Sequence, residues 1–199
     1  MEHIQKIIYI NLDKRADRRE QIEREFARMN LTATRFPAIE CTPGNVGCFK
    51  SHLAVLKQAR EENLENVLIM EDDFKFIVKK QTFERNMADF FNLNIPYDVL
   101  MLSYNLAGSE PYNGIVSYAR KAYTASGYIV HRRFYDTLIN LYEETLPQLI
   151  ETNRGELYVN DVVWQRLQPQ SQWFYFNRRI GKQRPSYSDI ELRNVNYCV

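Results

Sequence analysis

At 199 residues the chain has the length for one domain with a buried core, and 26 Lys and Arg against 25 Asp and Glu leave a formal charge of +1. No global basic field argues for nucleic acid or an anionic membrane, so partners have to be read from local features. The three cysteines, Cys41, Cys48 and Cys198, are too few and too scattered for a disulfide framework or a zinc pattern, which fits a reducing compartment.

Lys6 to Leu12 is a β-branched run that reads as a first strand, entered after a few polar residues without the apolar stretch of a signal peptide. The polar Asp13-Lys14-Arg15-Ala16-Asp17 follows, then a helix to about Asn30 with Ile22, Phe26 and Met29 as its apolar stripe. Thr32 to Ile39 reads as a second strand, and Thr42-Pro43-Gly44-Asn45 is turn chemistry. In the next helix Cys48/Phe49, His52/Leu53, Leu56 and Ala59 recur at the spacing of a helix packed on a sheet. Val67 to Met70 is a short buried strand, expected to be parallel because it alternates with helices. A short helix near Thr82 to Phe91 and a strand from Tyr97 to Ser103 complete a half in which strand and helix alternate, the pattern of βαβ units with helices on both faces of a sheet.

The second half is less regular. Tyr104 to Gly114 is expected to be a loop, and Ile115 to Val130 two strands joined near Arg120-Lys121. Phe134, Leu138, Leu141 and Tyr142 mark a helix, Val159, Val162, Val163 and Leu167 another, and Trp173 to Phe176 a strand. Ser186-Tyr187-Ser188-Asp189 carries a capping-box pattern that should open a last helix, behind the basic Arg178, Arg179, Lys182 and Arg184. No segment approaches membrane-spanning length, so the chain is expected to be soluble and cytoplasmic, meeting a membrane only through its acceptor.

Glu71-Asp72-Asp73 directly follows the buried strand. In an open α/β sheet the crevice beyond the strand tips receives ligands, and three adjacent carboxylates there repel one another unless a hard cation such as Mn²⁺ or Mg²⁺ relieves them. If the chain stays extended, Glu71 and Asp73 share a face and Asp72 points the other way. The alternative is a solvated acidic turn. Lys14, Arg15, Arg18 and Arg19 should lie at the same sheet edge, an arrangement that suits a metal-chelated diphosphate, although solvated pairs in the first helical turns would explain them equally. His52 lies on an inward stripe, where a lone histidine is as a rule a satisfied core residue. Asp161 is offset by two from Val159 and Val163, so it projects from the buried stripe, either as a base in a cleft or as an acid at a helix start. Tyr112, Tyr118, Tyr123 and Tyr128 would suit sugar stacking or plain packing. Walker, Gly-x-Gly-x-x-Gly, His-Glu-x-x-His and Gly-x-Ser-x-Gly signatures are absent.

Taken in series, Ile7-Ile8-Tyr9-Ile10-Asn11-Leu12-Asp13 with Arg15 and Arg18-Arg19, Gly47-Cys48-Phe49-Lys50-Ser51-His52-Leu53, and Ile69-Met70-Glu71-Asp72-Asp73 resemble glycosyltransferase family 25. Later echoes are Thr124-Ala125-Ser126-Gly127-Tyr128-Ile129, Asn160-Asp161, and Gln183 with Ser188-Asp189-Ile190. The resemblance implies a GT-A type α/β fold, with a mixed, mostly parallel sheet flanked by helices. Residues 1–105 would then form a nucleotide-sugar and metal-binding half and 106–199 an acceptor-side half of one domain. It implies a UDP-sugar donor, a Mn²⁺-type ion, transfer of galactose or glucose with inversion, and a glycan or a protein- or lipid-linked hydroxyl as acceptor, as in lipopolysaccharide biosynthesis. By the same resemblance Asp73 and Glu71 are metal ligands, and Asn11, Leu12, Arg15, Arg18, Ser51, His52, Glu71 and Asp72 surround the donor. Asp161 is the candidate base. Lys50 and Met70 depart locally from the family pattern. A non-catalytic sugar-nucleotide or glycan-binding module on the same fold, or a nucleotidyltransferase, are the other classes these acids and basic loops would fit.

Overall fold

In the computed structural model, which describes residues 3–188, 190 and 193–196, the alternating apolar runs become β1 (Lys6–Asn11), β2 (Thr34–Pro37) and β3 (Asn66–Glu71). They pair in parallel, with β1 between the other two. Between them lie α1 (Ala16–Met29), ended by Asn30 in the left-handed region at φ 53°, and α2 (Gly44–Glu61). After a short β4 (Phe74–Phe76) come α3 (Lys80–Asn92), β5 (Val99–Met101), β6 (Asn105–Pro111), β7 (Val116–Tyr123) and β8 (Gly127–His131). The chain continues through α4 (Tyr135–Thr152), α5 (Gly155–Tyr158), α6 (Asn160–Val163), β9 (Trp173–Phe176), β10 (Gly181–Gln183), β11 (Ser186–Ser188) and β12 (Arg193–Val195).

Eight strands form one mixed sheet in the order β2-β1-β3-β8-β5-β9-β7-β6. Followed across the pairings, β2, β1, β3, β5, β9 and β6 run one way, and β8 and β7 run the other. Period-two alternation feeds both faces of this sheet. Ile8, Ile10, Val67, Ile69, Tyr128 and Val130 pack under α2 and α4. Their neighbours Ile7, Tyr9, Leu68, Met70 and Ile129 pack against α1 and α3. That alternation aims the residues after Met70 as well: the next position belongs to the α2 side and the one after it to the α1 side.

Several expectations are corrected. Residues 105–111 form a strand instead of a loop; β6 is an outer edge, bonded to β7 alone in the main sheet, with register irregularities around Gly108, so its pairing comes from a long neighbour and not from its Gly, Ser and Pro content. β7 runs unbroken through Arg120-Lys121, because Ala119 and Ala122 bury inward while Arg120 lies over the Tyr118 ring and pairs with Glu110. The break to β8 falls at Thr124–Ser126, where Thr124 takes φ 85°. The expected helix around Val159 to Leu167 is only the single turn of α6, followed by two 3₁₀ turns, the second holding Pro169, which cannot donate a helical hydrogen bond. Ser186–Ser188 pairs with β12 as a strand instead of capping a helix, since the Ser186 hydroxyl accepts from Arg18; Asp189 and Cys198 lie outside the described residues.

Phe74 in β4 explains two glycines. A Cβ on Gly127 would meet its ring at 2.4 Å and one on Gly181 at 2.0 Å, so the aromatic ring lies against two bare backbones and holds the β3–β4 turn in place.

Candidate functional site

Glu71 ends β3, and its backbone N–H donates to Ser126 O at 2.9 Å. Its side chain follows the strand's parity toward α2. Glu71 Oε1 lies 3.1 Å from His52 Nε2 and 3.7 Å from Cys48 Sγ, and Oε2 accepts from Gln183 Nε2 at 3.4 Å. His52, fully buried, is held from behind by the Tyr128 hydroxyl, 2.9 Å from Nδ1. Burial works against the charged form of Glu71, but the hydrogen bond and charge of His52, with help from Arg18 and Cys48, outweigh it and hold the carboxyl below its usual range. Burial and the Glu71 charge push the Cys48 thiol well up.

Asp72 takes the opposite parity and faces α1. Its Oδ2 accepts from Asn11 Nδ2 at 2.8 Å and its Oδ1 from Arg18 Nη1 at 2.9 Å. Burial raises this carboxyl despite the Arg18 charge. Arg18 in turn donates through Nη2 to Ser186 Oγ and Tyr187 O, both at 2.7 Å, which ties the C-terminal segment to the acids. The chain turns at Asp72 and Asp73 instead of staying extended, so Asp73 Oδ2 also lies within 3.6 Å of Arg18.

Asp73 is the least compensated of the three. Its Oδ1 is buried with no hydrogen-bond partner, and burial followed by the Glu71 charge lifts its carboxyl to about 8, against the pull of Arg18. An orphaned carboxylate oxygen beside a second acid is a donor set that fits a hard divalent cation, which supplies the missing positive charge and takes oxygen ligands. Glu71 Oε2, on the Gln183 side, is the second oxygen such an ion could take.

Asp161 sits half-buried on α6, and its Oδ2 accepts from the Thr124 backbone N–H at 3.0 Å. Burial, then the Glu71 charge, raises its carboxyl in opposition to that bond. Thr124 is a β-branched residue in the left-handed region, a conformation costing roughly 1–3 kcal/mol, and the strained peptide is the one that holds the candidate base.

Of the basic cluster after β1, Arg18 reaches the acids, while Lys14 pairs with Glu40, Arg15 with Asp17 and Arg19 with Glu23. Asn11 is clamped between Asp72 and Arg35, whose Nε donates to Asn11 Oδ1 at 3.0 Å. Leu12 lies in the turn that follows, its carbonyl accepting from Arg15 N. Ser51 is fully buried on α2 and spends its hydroxyl within the protein, accepting from Ile39 N at 2.8 Å and donating to Gly47 O at 2.7 Å. Sequence reasoning passed over Arg35, which no motif marks, and the bond between Tyr128 and His52. Tyr128 is a core ring against Trp164, not a surface for stacking sugars; Tyr112 is partly exposed and packs edge-on against Tyr118.

The model for glycosyltransferase family 25 (LPS biosynthesis protein) matches residues 40–150, from the turn before α2 through the acids to α4. A glycosyltransferase 25 family member from Drosophila melanogaster is 30% identical over 117 residues, covering 45% of this chain and 19% of that protein. Procollagen galactosyltransferase 1-B of Xenopus laevis is 24% identical over 170 residues, covering 68% of this chain and 28% of that protein. The matched part of the chain thus corresponds to less than a third of either relative's length. Among solved structures, a glycosyltransferase involved in glycosylation of the major capsid of PBCV-1 superposes with a TM-score of 0.54 at 13% identity, covering 94% of this chain and 95% of that one, a likeness of fold. Since the matched residues take in more than half of the sequence, the chain belongs to glycosyltransferase family 25.

Proposed function

We propose that this chain is a metal-dependent glycosyltransferase that moves a hexose, galactose or glucose, from a UDP-sugar to a hydroxyl on a glycan or on a protein- or lipid-linked acceptor, with inversion. The observation that carries the reading is Asp73 Oδ1, a buried carboxylate oxygen without a partner, next to Glu71 at the tip of β3. Family membership supports the reaction class, and the uncompensated acids are what favours an ion.

Asp73, with Glu71 through Oε2, would hold Mn²⁺ or Mg²⁺. When bound, the ion supplies Lewis-acid charge for the departing diphosphate, worth several kcal/mol in reactions of this kind. The chain's own residues do the rest. Arg18, held by Asp72 and the carbonyl of Tyr187, is the cation closest to the acids among the basic residues after β1, and it steadies negative charge gathering on the leaving group. Asn11 fixes Asp72, and Leu12 and Arg15 in the following turn border the donor side. Ser51 acts at one remove, pinning α2 against the segment after β2, while His52 orients Glu71. Asp161 accepts the proton of the acceptor hydroxyl as that oxygen attacks the anomeric carbon; burial gives it a raised affinity for that proton, as a general base needs.

The test is donor turnover with UDP-galactose and UDP-glucose in the presence of Mn²⁺. Asp73→Asn should lower metal-dependent turnover by about 100-fold or more with the fold retained. Asp161→Asn should keep donor binding and lose about 100-fold or more of transfer. Undiminished turnover in Asp73→Asn removes the assignment. A wild-type protein that binds donor and never turns it over is the binding module instead.

A further inference from the structure

We infer that Cys48, His52 and Glu71 form a second metal site, selective for a zinc-class ion, which uses Glu71 Oε1 and so shares that carboxylate with the oxygen site at Asp73 while differing from it in its sulfur and nitrogen donors. Cys48 Sγ, His52 Nε2 and a Glu71 oxygen all lie within 4.8 Å of one another. Two edges of that triangle are known directly: Nε2 to Oε1 is 3.1 Å and Sγ to Oε1 is 3.7 Å. A tetrahedral zinc ion with its usual bond lengths of about 2.0 Å to nitrogen and oxygen and about 2.3 Å to sulfur requires ligand-to-ligand edges of about 3.3 Å and about 3.5 Å. Two of the three edges stand within about 0.2 Å of the required lengths, and the third, Sγ to Nε2, lies within 4.8 Å, a gap that side-chain rotation of Cys48 would close.

The support behind the ligands is also of the right kind. Metal-bound histidines hand their second ring nitrogen to a polar group, and His52 Nδ1 meets the Tyr128 hydroxyl at 2.9 Å. A hydroxyl can accept or donate, so Tyr128 serves the tautomer with a free Nε2 as well as the one that bonds Glu71. Cys48 and His52 lie one turn apart on α2, a rigid element, and Glu71 ends a central strand. Cys48 and Glu71 keep some exposure beside the fully buried His52, so the open side of the triangle is theirs. Thiolate and imidazole select zinc over the hard ions that suit Asp73. The signal is spatial: one cysteine and one histidine four apart make no zinc motif until the strand tip brings a carboxylate to them.

The site does not depend on the transferase reading, and its test needs no turnover. The metal-free, reduced protein of 199 residues is titrated with Co²⁺ and read by absorbance. One equivalent should bind with a thiolate-to-cobalt charge-transfer band and tetrahedral visible bands, both erased by equimolar Zn²⁺. Cys48→Ser should abolish the charge-transfer band, and Tyr128→Phe should weaken Co²⁺ binding about 10-fold. Asp73→Asn should leave the band in place. A wild-type titration without the band, a band that survives in Cys48→Ser, or its loss in Asp73→Asn overturns the proposal.

Discussion

Glu71 and Asp72 are adjacent in sequence and are held by unlike partners. Strand parity sends Glu71 to the α2 side, where an imidazole backed by a phenol, a thiol and the Gln183 amide meet it, and Asp72 to the α1 side, where a guanidinium and an amide do. The α1 side is a charged pair whose Arg18 also bonds Ser186 and Tyr187 of the C-terminal segment; the α2 side is a chain of hydrogen bonds built on the fully buried His52 and Tyr128. The difference teaches what each side can release. An ion pair can exchange its carboxylate for an incoming phosphate, whereas the His52 chain keeps Glu71 aimed.

The largest expected effect is on the α1 side. Arg18 and Asp72 have side chains only 12% and 9% exposed, so Arg18→Met strands a buried carboxylate and should cost about 3–5 kcal/mol in urea unfolding at neutral pH. Adding Asp72→Asn to that variant should recover most of the loss, because the stranded charge is gone. A cost under about 1 kcal/mol, the worth of an exposed pair, would erase the contrast between the two sides.

A smaller effect separates the sides by pH. Asp73 has its carboxyl raised from 3.8 to about 8, so the folded chain keeps a proton that the unfolded chain has lost. The stability this contributes is complete below the unfolded value and is lost as pH rises through about 8. Glu71, lowered in the fold, runs the other way: its contribution is present above 4.5 and is lost as pH falls through its lower folded value. Metal-free protein should therefore show a Tm that declines from about pH 5 to about pH 9, with a shallower slope in Asp73→Asn. Mn²⁺, competing with the proton on Asp73, should raise Tm more at the alkaline end. A slope unchanged in Asp73→Asn would move the proton elsewhere.

The strand-then-acids pattern at Val67 to Asp73 was legible because hydrophobic periodicity, position in an alternating βα half and charge all pointed to one place, and β1, α1, α2, β3 and β9 follow the periodicity closely. Arg18 reaching the acids followed from placing both at the carboxyl ends of parallel neighbours. What stayed hidden depends on distance along the chain. Tyr128 meets His52 across 76 residues, and Arg35 meets Asn11 only because β2 lies in register beside β1. The edge strand β6 was hidden for another reason: its residues are poor strand formers that take their conformation from β7. The one-turn α6 is shorter than any period that could announce it, and the strained Thr124 peptide that holds Asp161 has no sequence signature beyond the turn itself.

The smallest effect lies on the α2 side and asks whether the hydrogen-bond chain aims Glu71 or only fills space. Tyr128→Phe keeps the ring packed against Trp164 and removes the hydroxyl from His52 Nδ1. Leaving one buried ring nitrogen unbonded should cost about 1 kcal/mol, well below the Arg18 variant, because no charge is stranded. Stability alone would not distinguish the two roles, so the telling readout is Glu71 itself. Its carboxyl lies below the usual range because His52 bonds and charges against it. With His52 free to rotate, that bond weakens and burial, the opposing influence, gains, so the Glu71 carboxyl followed by NMR should titrate at higher pH in Tyr128→Phe than in the parent. An unmoved titration would mean that α2 packing by itself fixes His52, and that Tyr128 contributes shape and not aim.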